Sequence, residues 1–135
     1  MAPPQPGRTA LLLGDSLDNS STAGVPCAFL SLAEAQGAAV IVHEATFCEA
    51  QREHALPKGH STARQAGGFA AELRAERLVL THISQRYLPR SHSAEAAQHI
   101  NAMEEEARDE VRARGWECAV RAVEDFEVVS LGRRA

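Results

Sequence analysis

Asp15 and His82 are of the residue types that bind divalent transition metals, through a carboxylate oxygen and an imidazole nitrogen. Each stands just past a short apolar run, Thr9 to Leu13 before Gly14-Asp15 and Arg77 to Leu80 before Thr81-His82, so a strand could hold each rigidly at its tip. The alternative is structural: Asp15 caps a loop and His82 is a satisfied histidine. Glu44 and His60 make a second candidate pair, in which the carboxylate keeps the imidazole protonated so that it can give a proton to a leaving group. Against that stand a solvated loop histidine and a glutamate at a helix start. His54, His92 and His99 fall into no pattern and read as surface residues.

The elements that must position these residues alternate. The Thr9 to Leu13 strand is followed by loop composition over residues 16–24, and Pro26 can open a helix whose Phe29, Leu30 and Ala33 face inward and which Gly37 stops. A second apolar strand, Ala39 to Val42, runs out into His43-Glu44-Ala45-Thr46-Phe47. Residues 48–60 are polar and irregular, and Ser61 or Thr62 can cap the helix that carries Ala63, Ala66, Ala70 and Leu73 at helical spacing. Gly67-Gly68 weakens that helix and implies close packing against a neighbour.

After the Arg77 to Leu80 strand, Ala96, Ile100, Met103, Ala107 and Val111 form one stripe of a helix from Ser93 to Arg114, stopped by Gly115. Two strands, Cys118 to Ala122 and Phe126 to Ser130, close the chain before a basic tail, Arg133-Arg134. The β-α-β-α-β-α-β-β order predicts an α/β fold. Ligands in such sheets collect outside the carboxyl ends of the strands, which is where Asp15, His43-Glu44 and His82 fall.

Composition bounds the rest. The 135 residues are 44% hydrophobic, enough to build a core. Only 4% are aromatic, and the net charge is −4, which disfavours a free-standing single-strand binder and leaves no overall positive field for phosphates or an anionic membrane. Three cysteines without a CxxC pair suit a reducing compartment. No run approaches the length of a membrane span and the N-terminus lacks the features of a signal peptide, so a soluble intracellular protein is expected. Gly14-Asp15-Ser16-Leu17 also spells the nucleophile block of GDSL-type serine esterases, with Ser16 as nucleophile. That family resembles a pattern needing a later Gly-x-Asn-Asp and a C-terminal Asp-x-x-His, and neither is present.

Taken in order, Pro4-Gln-Pro-Gly-Arg8, Leu13-Gly-Asp15, His43-Glu-Ala-Thr-Phe47, Gly59-His-Ser-Thr-Ala63 and Leu80-Thr-His-Ile-Ser-Gln-Arg-Tyr87 resemble the C-terminal part of the ribonuclease Z family, tRNA 3′-processing endonucleases of the metallo-β-lactamase superfamily. Glu124-Asp125-Phe126 and Val128-Val129-Ser130 resemble the family's closing strand, which extends the likeness from about residue 3 to 130. The resemblance implies the C-terminal half of an αββα sandwich, with residues 1–8 a lead-in, 9–131 the half-domain and 132–135 a tail. It makes Asp15 the carboxylate that bridges two zinc ions and His82 a terminal ligand of one of them. Glu44 lies in what resembles the HEAT loop, and His60 in the HST loop, as the donor of a proton to the departing ribose oxygen. Ser84 and Arg86 would meet a substrate phosphate. Ser16 stands where the family usually has Thr.

The implied reaction is two-metal phosphodiester hydrolysis of precursor tRNA. The family's His-x-His-x-Asp-His motif, another histidine ligand and the arm that grips tRNA are missing from these residues. Only part of the zinc ligand set is therefore here. The expectation is a fragment of such an enzyme, inactive alone. Next come a half that complements a partner chain in trans, and a non-catalytic interaction module. The first two predict an exposed apolar sheet face, hence aggregation, a homodimer or obligate pairing.

Overall fold

A computed structural model of the chain describes residues 7–17 and 28–132. Most of the expected lead-in, the 18–24 loop, Pro26, Cys27 and Arg133-Arg134 lie outside the described residues. Four strands form one parallel sheet in the order β1-β2-β3-β4: β1 (Ala10–Leu12), β2 (Val40–Glu44), β3 (Arg77–Thr81) and β4 (Ala119–Ala122). Leu11 pairs with Ile41, Val42 with Val79 and Leu80 with Ala122, which brings the C-terminal ends of the strands to one rim.

One sheet face is closed by two helices. Leu11, Ile41, Leu78, Leu80, Val120 and Ala122 alternate along their strands and pack on Ala66, Phe69, Ala70 and Leu73 of α3 (Ala63–Glu72) and on Ile100, Met103 and Ala107 of α4 (Ala94–Ala113). Thr62 caps α3 through a capping box with Gln65, and Ser93 caps α4. The α4 stripe read from the sequence is buried in full, and Gly115 ends the helix at φ +73°. Gly67 is where the helices touch: a Cβ there would stand 2.9 Å from the Ala107 Cα.

Three expectations need correction. In place of a helix reaching to Gly37, one turn, α1 (Ala28–Ser31), is broken by extended Leu32 and followed by a 3₁₀ turn, Ala33–Ala35. Phe29 and Leu30 pack against the core as expected, but Ala33 is exposed and Ala35 is the alanine that turns inward. Residues 48–60 are not irregular. They wind through Glu49–Gln51, α2 (Arg52–Ala55) and Leu56–Lys58, stopped by Gly59 at φ +74°. Of these turns only Ala55 is buried, so no apolar period marks them.

The strand expected at Phe126 to Ser130 does not form. Phe126 sits in a turn at φ +65° with its ring fully exposed. Side chains hold this segment in place of a strand ladder: Arg121 Nε donates to Glu127 Oε1 at 2.6 Å, Arg77 Nη1 to the Ser130 carbonyl at 2.6 Å, and Arg8 to the Gly132 carbonyl. On the sheet face away from α3 and α4, Leu12 is 74% exposed beside Val42.

Candidate metal and acid-base site

The site is built on the C-terminal rim of the sheet. β2 ends in Glu44, whose side chain is wholly buried, so the strand delivers a carboxylate from inside the fold. Glu44 Oε1 accepts from the Ser16 N–H and from His60 Nδ1, both at 3.0 Å. Its Oε2 accepts from Thr46 N at 3.1 Å and from Thr46 Oγ1 at 2.6 Å. Burial alone would raise this carboxyl. The hydrogen bonds from Thr46, Ser16, His60 and Ser61 outweigh it and hold Glu44 below the ordinary carboxylate value. Glu44 ends a strand, not a helix start, and it is in contact with His60.

Asp15 lies just past β1 and His82 just past β3, and His82 Nε2 stands 3.0 Å from Asp15 Oδ1. His82 has φ +53°, a left-handed conformation uncommon outside glycine, which turns its ring off the line of β3. Its Nδ1 is 2.9 Å from Thr46 Oγ1. The His60 and His82 rings lie 5.3 Å apart, and one donor atom from each of Asp15, His60 and His82 falls within a cluster 4.8 Å across. Exposure rises outward, from 0% for the Glu44 side chain through 20% for His60 and 48% for His82 to 68% for Asp15. The exposed groups thus offer ligand atoms while the buried one anchors them.

The donor set suits zinc. Two ligands of a tetrahedral zinc ion, each about 2.0–2.1 Å from it, sit roughly 3.4 Å from one another, so the Asp15–His82 pair needs to open only slightly. A metal-binding histidine usually has its second ring nitrogen held by a carboxylate, carbonyl or water, and here the Thr46 hydroxyl, backed by Glu44, stands in that place.

Ser84 and Arg86 follow on the same rim. The Ser84 N–H donates to the Thr46 carbonyl at 3.1 Å. Arg86 lies over the Phe47 ring at 5.1 Å and donates to Gln51 Oε1 at 3.4 Å. Lys58 stands over the same ring at 5.8 Å, and that ring is 6.2 Å from His60. Ser16 enters through its main chain: besides its bond to Glu44, its carbonyl accepts from Ser61 Oγ at 2.6 Å. His54, His92 and His99 are exposed, as expected.

Two further residues of the region take places that the sequence did not show. His43 turns the other way, buried against Phe69 with its Nδ1 donating to the Glu44 carbonyl at 2.7 Å. Thr46 links Glu44 to His82. Its signal was only a hydroxyl two residues after a strand-ending acid, and its other partner is 36 residues away.

No protein-family profile matches the chain. Among curated proteins, a ribonuclease Z of Exiguobacterium sibiricum is 43% identical over 93 residues, 69% of this chain. A ribonuclease Z of Bacillus thuringiensis is 40% identical over 87 residues, 64% of this chain. The crystal structure of human tRNase Z, short form, matches 94% of this chain with a TM-score of 0.58 and 32% identity. This chain is a relative of ribonuclease Z.

It spans 28% of the Exiguobacterium ribonuclease Z, 25% of the Bacillus one and 35% of the human tRNase Z chain. The metallo-β-lactamase fold protein YhfI of Bacillus subtilis, at 20% identity, matches 87% of this chain and 37% of its own with a TM-score of 0.61, a likeness of fold alone. The parallel sheet with α3 and α4 on one face is therefore part of a metallo-β-lactamase fold. The ribonuclease Z resemblance read from motifs and the rim cluster read from geometry fall on the same residues. Among the described residues, no helix is long and apolar enough to cross a membrane.

Proposed function

We propose that this chain supplies part of the active site of a zinc-dependent endoribonuclease of the ribonuclease Z type, acting on precursor tRNA. The observation that carries the reading is the convergence of Asp15, His82 and His60 on one rim, with buried Glu44 behind them. Asp15 and His82 would hold zinc at the pair of metal sites, where it would supply an activated water and neutralise the attacked phosphate.

His60, hydrogen-bonded through Nδ1 to Glu44, turns its Nε2 to the substrate side and gives a proton to the departing ribose oxygen. Glu44 holds that ring in place through its 3.0 Å hydrogen bond to Nδ1. Arg86, exposed over Phe47, meets a phosphate of the substrate strand, and Ser84 shapes the turn that carries it.

Residues 9–131 are one half of the domain in this reading. The further ligands, and the surface that grips tRNA, come from outside these 135 residues, on the same polypeptide or on a partner. Leu12, 74% exposed on the sheet face away from α3 and α4, supports that division. The test is reconstitution. The purified chain alone should leave the 3′ trailer of a precursor tRNA uncut, and adding a polypeptide that carries His-x-His-x-Asp-His should restore zinc-dependent cleavage. His60→Ala should then lower turnover by about 10²–10⁴-fold. A chain that retains two equivalents of zinc and cleaves unaided would overturn the division.

A further inference from the structure

Thr46 sits between the buried carboxylate and the His82 ring, and its hydrogen bonds can be read in only one direction. Both oxygens of Glu44 already accept main-chain N–H groups, Ser16 on Oε1 and Thr46 on Oε2, so the carboxylate meets Thr46 as an acceptor. The Thr46 hydroxyl proton must therefore go to Glu44 Oε2, at 2.6 Å. What Thr46 Oγ1 then offers His82 Nδ1, at 2.9 Å, is a lone pair, so Nδ1 must carry the hydrogen. The opposite side of the ring pulls the other way. Asp15 Oδ1 stands 3.0 Å from Nε2 and, acting alone, would draw the ring proton to Nε2. A proton there occupies the lone pair that a metal ion needs.

We propose that Thr46 is a positioning residue that fixes the tautomer of His82, keeping the proton on Nδ1 and leaving Nε2 free to bind a metal beside Asp15. The proposal rests on the metal reading of the site for its purpose but not for its geometry. Thr46 is only 7% exposed, and its N–H also donates to Glu44 Oε2. Replacing its hydroxyl by a methyl therefore leaves the main-chain anchor in place. Glu44 thus governs both histidines, His60 directly and His82 through the threonine.

The test is a long-range ¹⁵N–¹H correlation spectrum of the histidine rings in the full chain, zinc-free and in alkaline buffer, followed by titration with zinc alone. In the unsubstituted chain His82 should carry its proton on Nδ1. In Thr46→Val the proton should move to Nε2 and zinc affinity should fall by about 10–100-fold. Thr46→Ser, which keeps the hydroxyl, should restore both. An unchanged His82 tautomer in Thr46→Val overturns the proposal whatever the zinc affinity. Should the unsubstituted chain bind zinc only once a polypeptide carrying the missing ligands is added, the affinity comparison is made on that complex, and the tautomer still decides the role of Thr46.

Discussion

Glu44 carries a charge with none of its side chain exposed, and removing a carboxylate from water costs several kcal/mol unless donors replace the hydration. Among the donors that do so are the Ser16 and Thr46 main-chain N–H groups, the Thr46 hydroxyl and His60 Nδ1. Glu44→Gln turns one acceptor oxygen into an NH₂ group that faces donors. Urea unfolding of the zinc-free chain at neutral pH should show it less stable by about 2 kcal/mol. A midpoint equal to that of the unsubstituted chain would mean that this network contributes nothing to the fold. Because hydrogen bonding depresses the folded-state value, the stabilisation by Glu44 is present at neutral pH and is lost as pH falls through that value. Residue types at strand ends nominated Asp15, Glu44 and His82, but contact between Glu44 and His60 was not legible, since spacing along the chain does not fix distance across a rim.

The elements that read correctly are those whose period is complete. The α4 stripe runs from Ala96 to Val111 without interruption, and β1, β2 and β3 each contain an apolar run of three residues suited to a parallel sheet. Residues 48–60 fold as short turns with almost nothing buried, and the Phe126 to Ser130 run has strand composition but is held by arginines in place of a ladder. Gly67-Gly68 was legible as close packing but not as to which glycine makes it. A Cβ on Gly67 meets the Ala107 backbone, whereas one on Gly68 meets the end of the Arg114 side chain at 3.0–3.2 Å. Helix propensity alone would stabilise either alanine variant by about 1 kcal/mol. Gly67→Ala should instead destabilise by about 1–3 kcal/mol, because α3 must move off α4. Gly68→Ala should stay near neutral, since Arg114 can shift while Glu72 and Glu110 still hold it. Thermal unfolding of the pair separates backbone packing from propensity, and equal shifts for both would refute it.

A parallel sheet is ordinarily covered on both faces, and its strands are apolar on both sides for that reason. Here α3 and α4 cover one face, while Leu12 on the edge strand β1 stands 74% exposed on the other. Val128 at 85% and Phe126 add exposed apolar surface further along the chain. Meeting another copy would reduce this exposure, against a mutual repulsion from the net charge of −4 that salt screens. Sedimentation should therefore show concentration-dependent self-association that strengthens as salt is added. Leu12→Asp should weaken it while changing unfolding free energy by no more than about 0.5 kcal/mol, because the side chain is already in water. The same variant should also weaken pairing with a polypeptide carrying the missing histidine motif, since both events would bury the same face. A chain that stays monomeric at all concentrations, with Leu12→Asp indistinguishable from it, would show that the open face needs no cover.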